Sequence, residues 1–305
     1  MKTTMLLAVM VMSGCAVTSH GTQPATLGTP RSTADLAAAL AEPGPVELES
    51  VASADWAVER SGLLNLGNPT AKEAGLVDGD EPIQVFFHVI RHPTKGTFIV
   101  DTGVETALRD APEKSAMSGL VRSAMHLEKL KVHQGLGEWL AKAGKLDGVF
   151  LTHLHLDHLT GMADVPEGTP VFTGPGEAKA TGFMNLFVRG STNQALEGKP
   201  ALSEWQFTAD ATGSFEGVLD VFGDGSVWAL WVPGHTPGST AYLVRTPKGA
   251  VLLTGDASHT RWGWDHHVEP GTFTGDAVKG TESFKRLQAF GVAHPDVEVR
   301  VGHQH

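Results

Sequence analysis

A layered α+β fold is what this sequence of 305 residues predicts, on three observations. Both halves of the chain run short apolar strands into a helix, with His or Asp placed at strand ends. The 36 glycines supply the tight turns that such layering needs. No linker divides the stretch from about Glu47 to His305, so it reads as one domain, and its 41% hydrophobic and 19% charged content is that of an ordinary globular protein.

The elements follow in chain order. Lys2 precedes the apolar run Met5–Gly14, too short to span a membrane but of the right length for the core of an export signal. The run ends in "MSGC", which resembles a bacterial lipoprotein signal. That resemblance implies a leader over residues 1–14, lipidation of Cys15, and a protein held on a membrane of the cell envelope without crossing it. An ordinary secretory leader cut a few residues later is the alternative. Cys15 is the single cysteine, which excludes an internal disulfide and a thiolate metal site. Residues 15–33, rich in Thr, Ser, Gly and Pro, read as a flexible tether ahead of the main domain over 34–305. Thr33–Pro45 opens that domain with a short Ala/Leu helix stopped by "EPGP". Strands are predicted at Pro82–His92 and Gly96–Gly103, then an amphipathic helix at Gly135–Gly144 with Leu136, Trp139 and Leu140 on one face. The second half gives strands at Ser226–Gly234, Thr240–Thr246 and Ala250–Asp256. A helix within Gly275–Gly291 and a last strand over Val297–His303 complete it.

The segment "VFLTHLHLDHLTGM" (Val149–Met162) places three histidines and an aspartate in six positions. On extended backbone, His153, His155 and Asp157 share a face, while His158 has the opposite parity and reaches them only after a turn. Two imidazoles for one cation, with a carboxylate and a third imidazole for its neighbour, is the natural division. Imidazole and carboxylate donors suit zinc, and also iron, manganese or cobalt. Four residues do not close two metal sites. Further donors are available in "VPGHTPGST" (His235), "LLTGDAS" (Asp256, whose two oxygens can bridge) and "VRVGHQH" (His303).

Together "THLHLDHLTG", "PGHTPGS", "TGDAS" and "VGHQ", preceded by "IVDTG", resemble the metallo-β-lactamase superfamily from about Val46 onward. The resemblance implies an αβ/βα four-layer sandwich with a dinuclear metal site at the rim between two sheets. It assigns His153, His155 and His235 to one metal and Asp157, His158 and His303 to the other, with Asp256 bridging. Two divalent ions, zinc first among them, would make hydroxide available near neutral pH, with Asp157 able to move a proton beside it. The implied reaction is hydrolysis of a small-molecule substrate.

True β-lactamases of the superfamily lack the bridging carboxylate; thioesterases of the glyoxalase II type, lactonases, phosphodiesterases and nucleases carry it. The formal charge of −11 and the lack of a basic run disfavour nucleic acid. "PGHTPGSTAYLV" and "LLTGDASHT" look most like the lactonases that open N-acyl homoserine lactones. Those commonly carry a tyrosine three residues after the bridging aspartate, where this chain has His259; its single tyrosine, Tyr242, lies well before. His259 is therefore the candidate substrate contact. Trp262, Trp264 and His266 either line a pocket or pack as a surface loop, and Met184–Gly190 either walls the site or joins the core. A metal-binding membrane-surface protein without catalysis is the reading of a different class. Oligomeric state is not legible.

Overall fold

In a computed structural model, residues 15–182 and 184–305 are described; the leader read over residues 1–14 lies outside them. Two mixed sheets face each other. The first has eight strands in the order Thr22–Pro24, Leu202–Glu204, Val171–Thr173, Gly148–Phe150, Gly96–Val100, Asp80–His92, Glu47–Glu59 and Lys131–Val132. The second has six: Glu298–Arg300, Gly249–Leu253, Thr240–Thr246, Val227–Trp231, Gly217–Asp220 and Thr29–Arg31.

Period-two burial explains the layering. Phe98, Val100 and Phe150 of the first sheet meet Val227, Ala229, Tyr242, Val251 and Leu253 of the second in the central core. Their sequence neighbours Ile99, Val149 and Leu151 point the other way, onto Leu136 and Trp139 of the helix Leu136–Ala143. On the far side Trp228, Leu230, Leu243 and Leu252 pack against Leu36, Leu287 and Phe290 of the outer helices Thr33–Ala39 and Ala277–Ala293. Strands buried on both faces must be apolar throughout, which is why "GVF" and "VWALW" lack polar alternation. The result is the expected αβ/βα sandwich.

Two readings need correction, and one strand is added to them. The segment read as a flexible tether is built into the sheets: Thr22–Pro24 pairs in parallel with Leu202–Glu204, and Thr29–Arg31 antiparallel with Val218–Asp220. The domain therefore begins before residue 34. Its Thr/Pro composition carries no strand signal, and long-range backbone hydrogen bonds place it. The 13-residue strand Glu47–Glu59 was not expected, because Ser, Glu and Asp interrupt its apolar positions and a bulge falls between Ala52 and Ala54. Finally, the extended run ends at His155, and the helical turn Leu156–Leu159 follows. Asp157 thus leaves the face of His153 and His155, and His158 turns inward beside it.

Candidate metal centre

Strand direction delivers the site residues to one rim. Gly96–Val100 and Gly148–Phe150 run in parallel, so Asp101 and Thr152 leave the first sheet side by side. Gly249–Leu253 and Glu298–Arg300 are also parallel, which brings Asp256 and His303 to the same edge of the second sheet. Val227–Trp231 lies two antiparallel steps away and ends there too, followed by His235. The two rims are tied by Thr240 N–H donating to Thr152 O at 2.9 Å and the Tyr242 hydroxyl donating to Leu151 O at 3.1 Å.

Two donor groups form at this junction. His153, His155, His235 and Asp256 offer atoms within 4.8 Å of one another, and so do Asp157, His158, Asp256 and His303. His235 Nε2 stands 3.2 Å from His153 Nε2 and 2.8 Å from His155 Nδ1. Asp256 is the hub. Its Oδ1 lies 3.3 Å from both His158 and His303 Nε2, and its Oδ2 lies 3.3 Å from His235 Nε2, 3.4 Å from His259 Nε2 and 3.7 Å from His153 Nε2. Gly302 permits this: a Cβ there would stand 2.4 Å from Asp256 Oδ1.

The hydrogen bonds behind the rings fix which nitrogen faces the centre. A backbone carbonyl only accepts, so His303 Nδ1–H donates to Gln84 O at 2.9 Å and leaves Nε2 inward. His158 Nδ1–H donates to Asp101 Oδ2 at 2.8 Å, a carboxylate–imidazole pair of the kind that orients metal-binding histidines. Asp101 is itself held by Thr152 N–H at 2.8 Å and adopts a left-handed φ of 56°. Burial pushes His153 below the ordinary imidazole range, and His155 and His235 likewise, so these three favour the neutral, ligating form. At His158 burial acts in the same sense but is outweighed by Asp256, Asp157 and Asp101, and the ring is pushed upward. His303 is raised against burial by Asp256 and Asp157.

This donor set fits a cation pair. His158 Nε2 and Asp256 Oδ1 are buried without hydrogen-bond partners, which is costly unless something else satisfies them. Three neutral imidazoles on one side, two imidazoles and a carboxylate on the other, and a shared carboxylate match the chemistry of divalent transition metals. Asp157, with 17% of its side chain exposed, marks the open side.

All seven sequence-predicted ligands meet here. His259, 2% exposed, joins them as an eighth side chain, its Nδ1 3.2 Å from Leu63 O. Tyr242 does not: it is fully buried between the sheets, accepting from Trp205 Nε1 at 3.0 Å. Trp262 packs with Leu64 and Val268 and stacks on His266, while Trp264 joins the outer helical core, so the aromatic loop is packing rather than pocket wall. Met184 and Leu186 are solvent-exposed and do not enter the core. Asp101 and Glu177 went unassigned in the sequence; "IVDTG", an apolar strand ending in a carboxylate, was the available signal for the first.

Fold and centre define a hydrolase of the two-metal class, built at the rim of a four-layer sandwich. The chain belongs to the metallo-beta-lactamase superfamily, whose family model it matches over residues 80–293. It is 30% identical over 229 residues to the N-acyl homoserine lactonase AttM of Agrobacterium fabrum, covering 73% of this chain and 83% of that one. Among solved structures it resembles an N-acyl homoserine lactone hydrolase with N-hexanoyl-L-homoserine at its catalytic metal centre. The TM-score is 0.61 at 19% identity, over 86% of this chain and 94% of that one. AidC, described as a dizinc quorum-quenching lactonase, gives a TM-score of 0.54 at 16% identity, over 86% and 89% of the two chains.

Proposed function

We propose that the protein is a dinuclear metal-dependent lactonase that opens N-acyl homoserine lactones. The observation that carries this is the convergence of His153, His155, Asp157, His158, His235 and His303 around the shared carboxylate of Asp256. The similarity to AttM supports the choice of lactone over thioester or phosphodiester. Zinc is the proposed metal, supported by the imidazole-rich donors and by the dizinc description of AidC.

When bound, two such cations would acidify a water from a pKa of about 15.7 towards ~7 and polarise the ester carbonyl. The chain's own groups do the rest. Asp157, the most exposed carboxylate of the set, stands where a proton can be taken up and passed on. Asp101 and the Gln84 carbonyl hold His158 and His303 in the tautomers that keep Nε2 inward. His259 is the proposed substrate contact. Its Nδ1–H donates to Leu63 O, which turns Nε2 towards the centre, 3.4 Å from Asp256 Oδ2.

The lipid anchor on Cys15 and residence in the bacterial cell envelope belong to the same proposal. They rest on the "MSGC" junction, where small residues run directly into Cys15, the single cysteine of the sequence. No helix among the described residues is long and apolar enough to cross a membrane.

A hydrolysis panel tests the reading: acyl homoserine lactones, lactoylglutathione, an aryl phosphodiester and a carbapenem, each with metal-loaded protein. Preferential turnover of the lactones is expected. Preferential turnover of the thioester or the phosphodiester would replace the lactonase assignment.

A further inference from the structure

Glu177 is a carboxylate that the hydrolytic chemistry does not use, and it is 1% exposed. Buried carboxylates are costly unless fully hydrogen-bonded, and this one is. Its Oε1 accepts from Leu154 N–H at 2.9 Å. Its Oε2 accepts from the Thr236 hydroxyl at 2.6 Å and from Gly238 N–H at 2.9 Å. Leu154 lies between His153 and His155, and Thr236 follows His235 directly. One side chain therefore joins the two loops that carry all three imidazoles of the first donor group.

The loops are shaped to receive it. A Cβ on Gly174 would stand 1.7 Å from Gly238 O, and one on Gly238 would stand 2.6 Å from Glu177 Cβ. Only glycine lets the backbones approach closely enough for one carboxylate to span them. The second donor group has separate anchors, Asp101 behind His158 and Gln84 behind His303.

We propose that Glu177 is a positioning residue for the first metal: its carboxylate fixes the separation of the His153/His155 loop from the His235 loop. This rests on the two-metal reading of the centre. Glutamine, of the same size, does not replace it. With its oxygen on Leu154 N–H, its amide group faces Gly238 N–H; turned over, it faces Leu154 N–H. Either way two donors oppose each other.

Full-length wild type, Glu177→Gln and Thr236→Val are loaded with Co(II), and each metal's affinity is read by chelator competition and from the cobalt absorption spectrum. In Glu177→Gln one of the two metals should bind about 10–100-fold more weakly, the loss typical of disturbed outer-shell support, with the other unchanged. The spectrum of the weakened site should change, and kcat should fall with little change in KM. Thr236→Val, which deletes one of the three hydrogen bonds, should move the same site by less and supplies the answer if Glu177→Gln does not fold. A lowered melting temperature with both affinities and the spectrum unchanged would make Glu177 merely structural and overturn the assignment. A wild type that binds fewer than two metals would overturn the two-metal reading as well, which separates the two failures.

Discussion

Replacing Asp101 by Asn should strip one metal and spare the other. Asp101 is buried behind His158 and acts through that ring, whose Nδ1–H it accepts at 2.8 Å. At that separation, with an effective dielectric of about 20, a charge pair is worth at most ~6 kcal/mol. Desolvation offsets much of that, and comparable outer-shell changes weaken metal binding by about 10–100-fold, equivalent to roughly 1.4–2.7 kcal/mol. Asn tolerates the left-handed φ of 56° at this position, so the backbone should persist. The amide nevertheless sets its NH2 against either His158 Nδ1–H or the Thr152 N–H that Asp101 now accepts at 2.8 Å. The assay is metal content after dialysis against graded chelator, with the first metal as internal control. The second metal, held by Asp157, His158 and His303, should be lost first. Equal loss of both metals, or wild-type retention of both, would refute the reasoning.

Three more outcomes are expected. His158 and His303 are pushed above the ordinary imidazole range, so near neutral pH the metal-free protein keeps protons there that a metal must displace. Affinity at the second site should rise with pH while the first site, whose imidazoles are already neutral, changes little; calorimetry in buffers of differing ionisation enthalpy would show proton release at one site only, and equal release at both would contradict this. Gly302→Ala, whose Cβ would press on Asp256 Oδ1 at 2.4 Å, should reduce kcat/KM by on the order of 100-fold with an unchanged circular dichroism spectrum. Glu105, buried and accepting from Ala116 N–H, has its carboxyl pushed up from 4.5 to about 7, chiefly by burial. The folded state then holds a proton that the unfolded state releases, so stability falls as pH rises from 4.5 to 7 and stays reduced above. Glu105→Gln should therefore be more stable in urea at pH 8, by on the order of 1–3 kcal/mol, and no more stable at pH 4.

Much of this was legible in the residues. The candidate ligands stand at the ends of apolar strands, and strand direction carries them to a common rim, so a linear reading of "THLHLDH", "PGHT", "TGD" and "VGH" reaches the seven side chains that converge there. The supporting carboxylates were not legible, because their partners are remote: Asp101 meets His158 57 positions on, and Glu177 meets Thr236 59 positions on. The strands at Thr22–Pro24 and Thr29–Arg31 exist through pairing with distant segments and not through their own pattern. The parity rule failed at Asp157 because a helical turn starts at Leu156. His259 illustrates a mixed outcome. Its position after Asp256 drew attention to it and the structure places it beside that carboxylate, while the Leu63 carbonyl that orients its ring becomes visible only in three dimensions.

The central claim is tested most directly by following acid release from N-hexanoyl homoserine lactone in a pH-stat as metal is returned to chelator-stripped protein. Ring opening should be absent from the stripped protein and should grow to its maximum as the second equivalent binds. Protein carrying both metals that leaves the lactone closed would contradict the account.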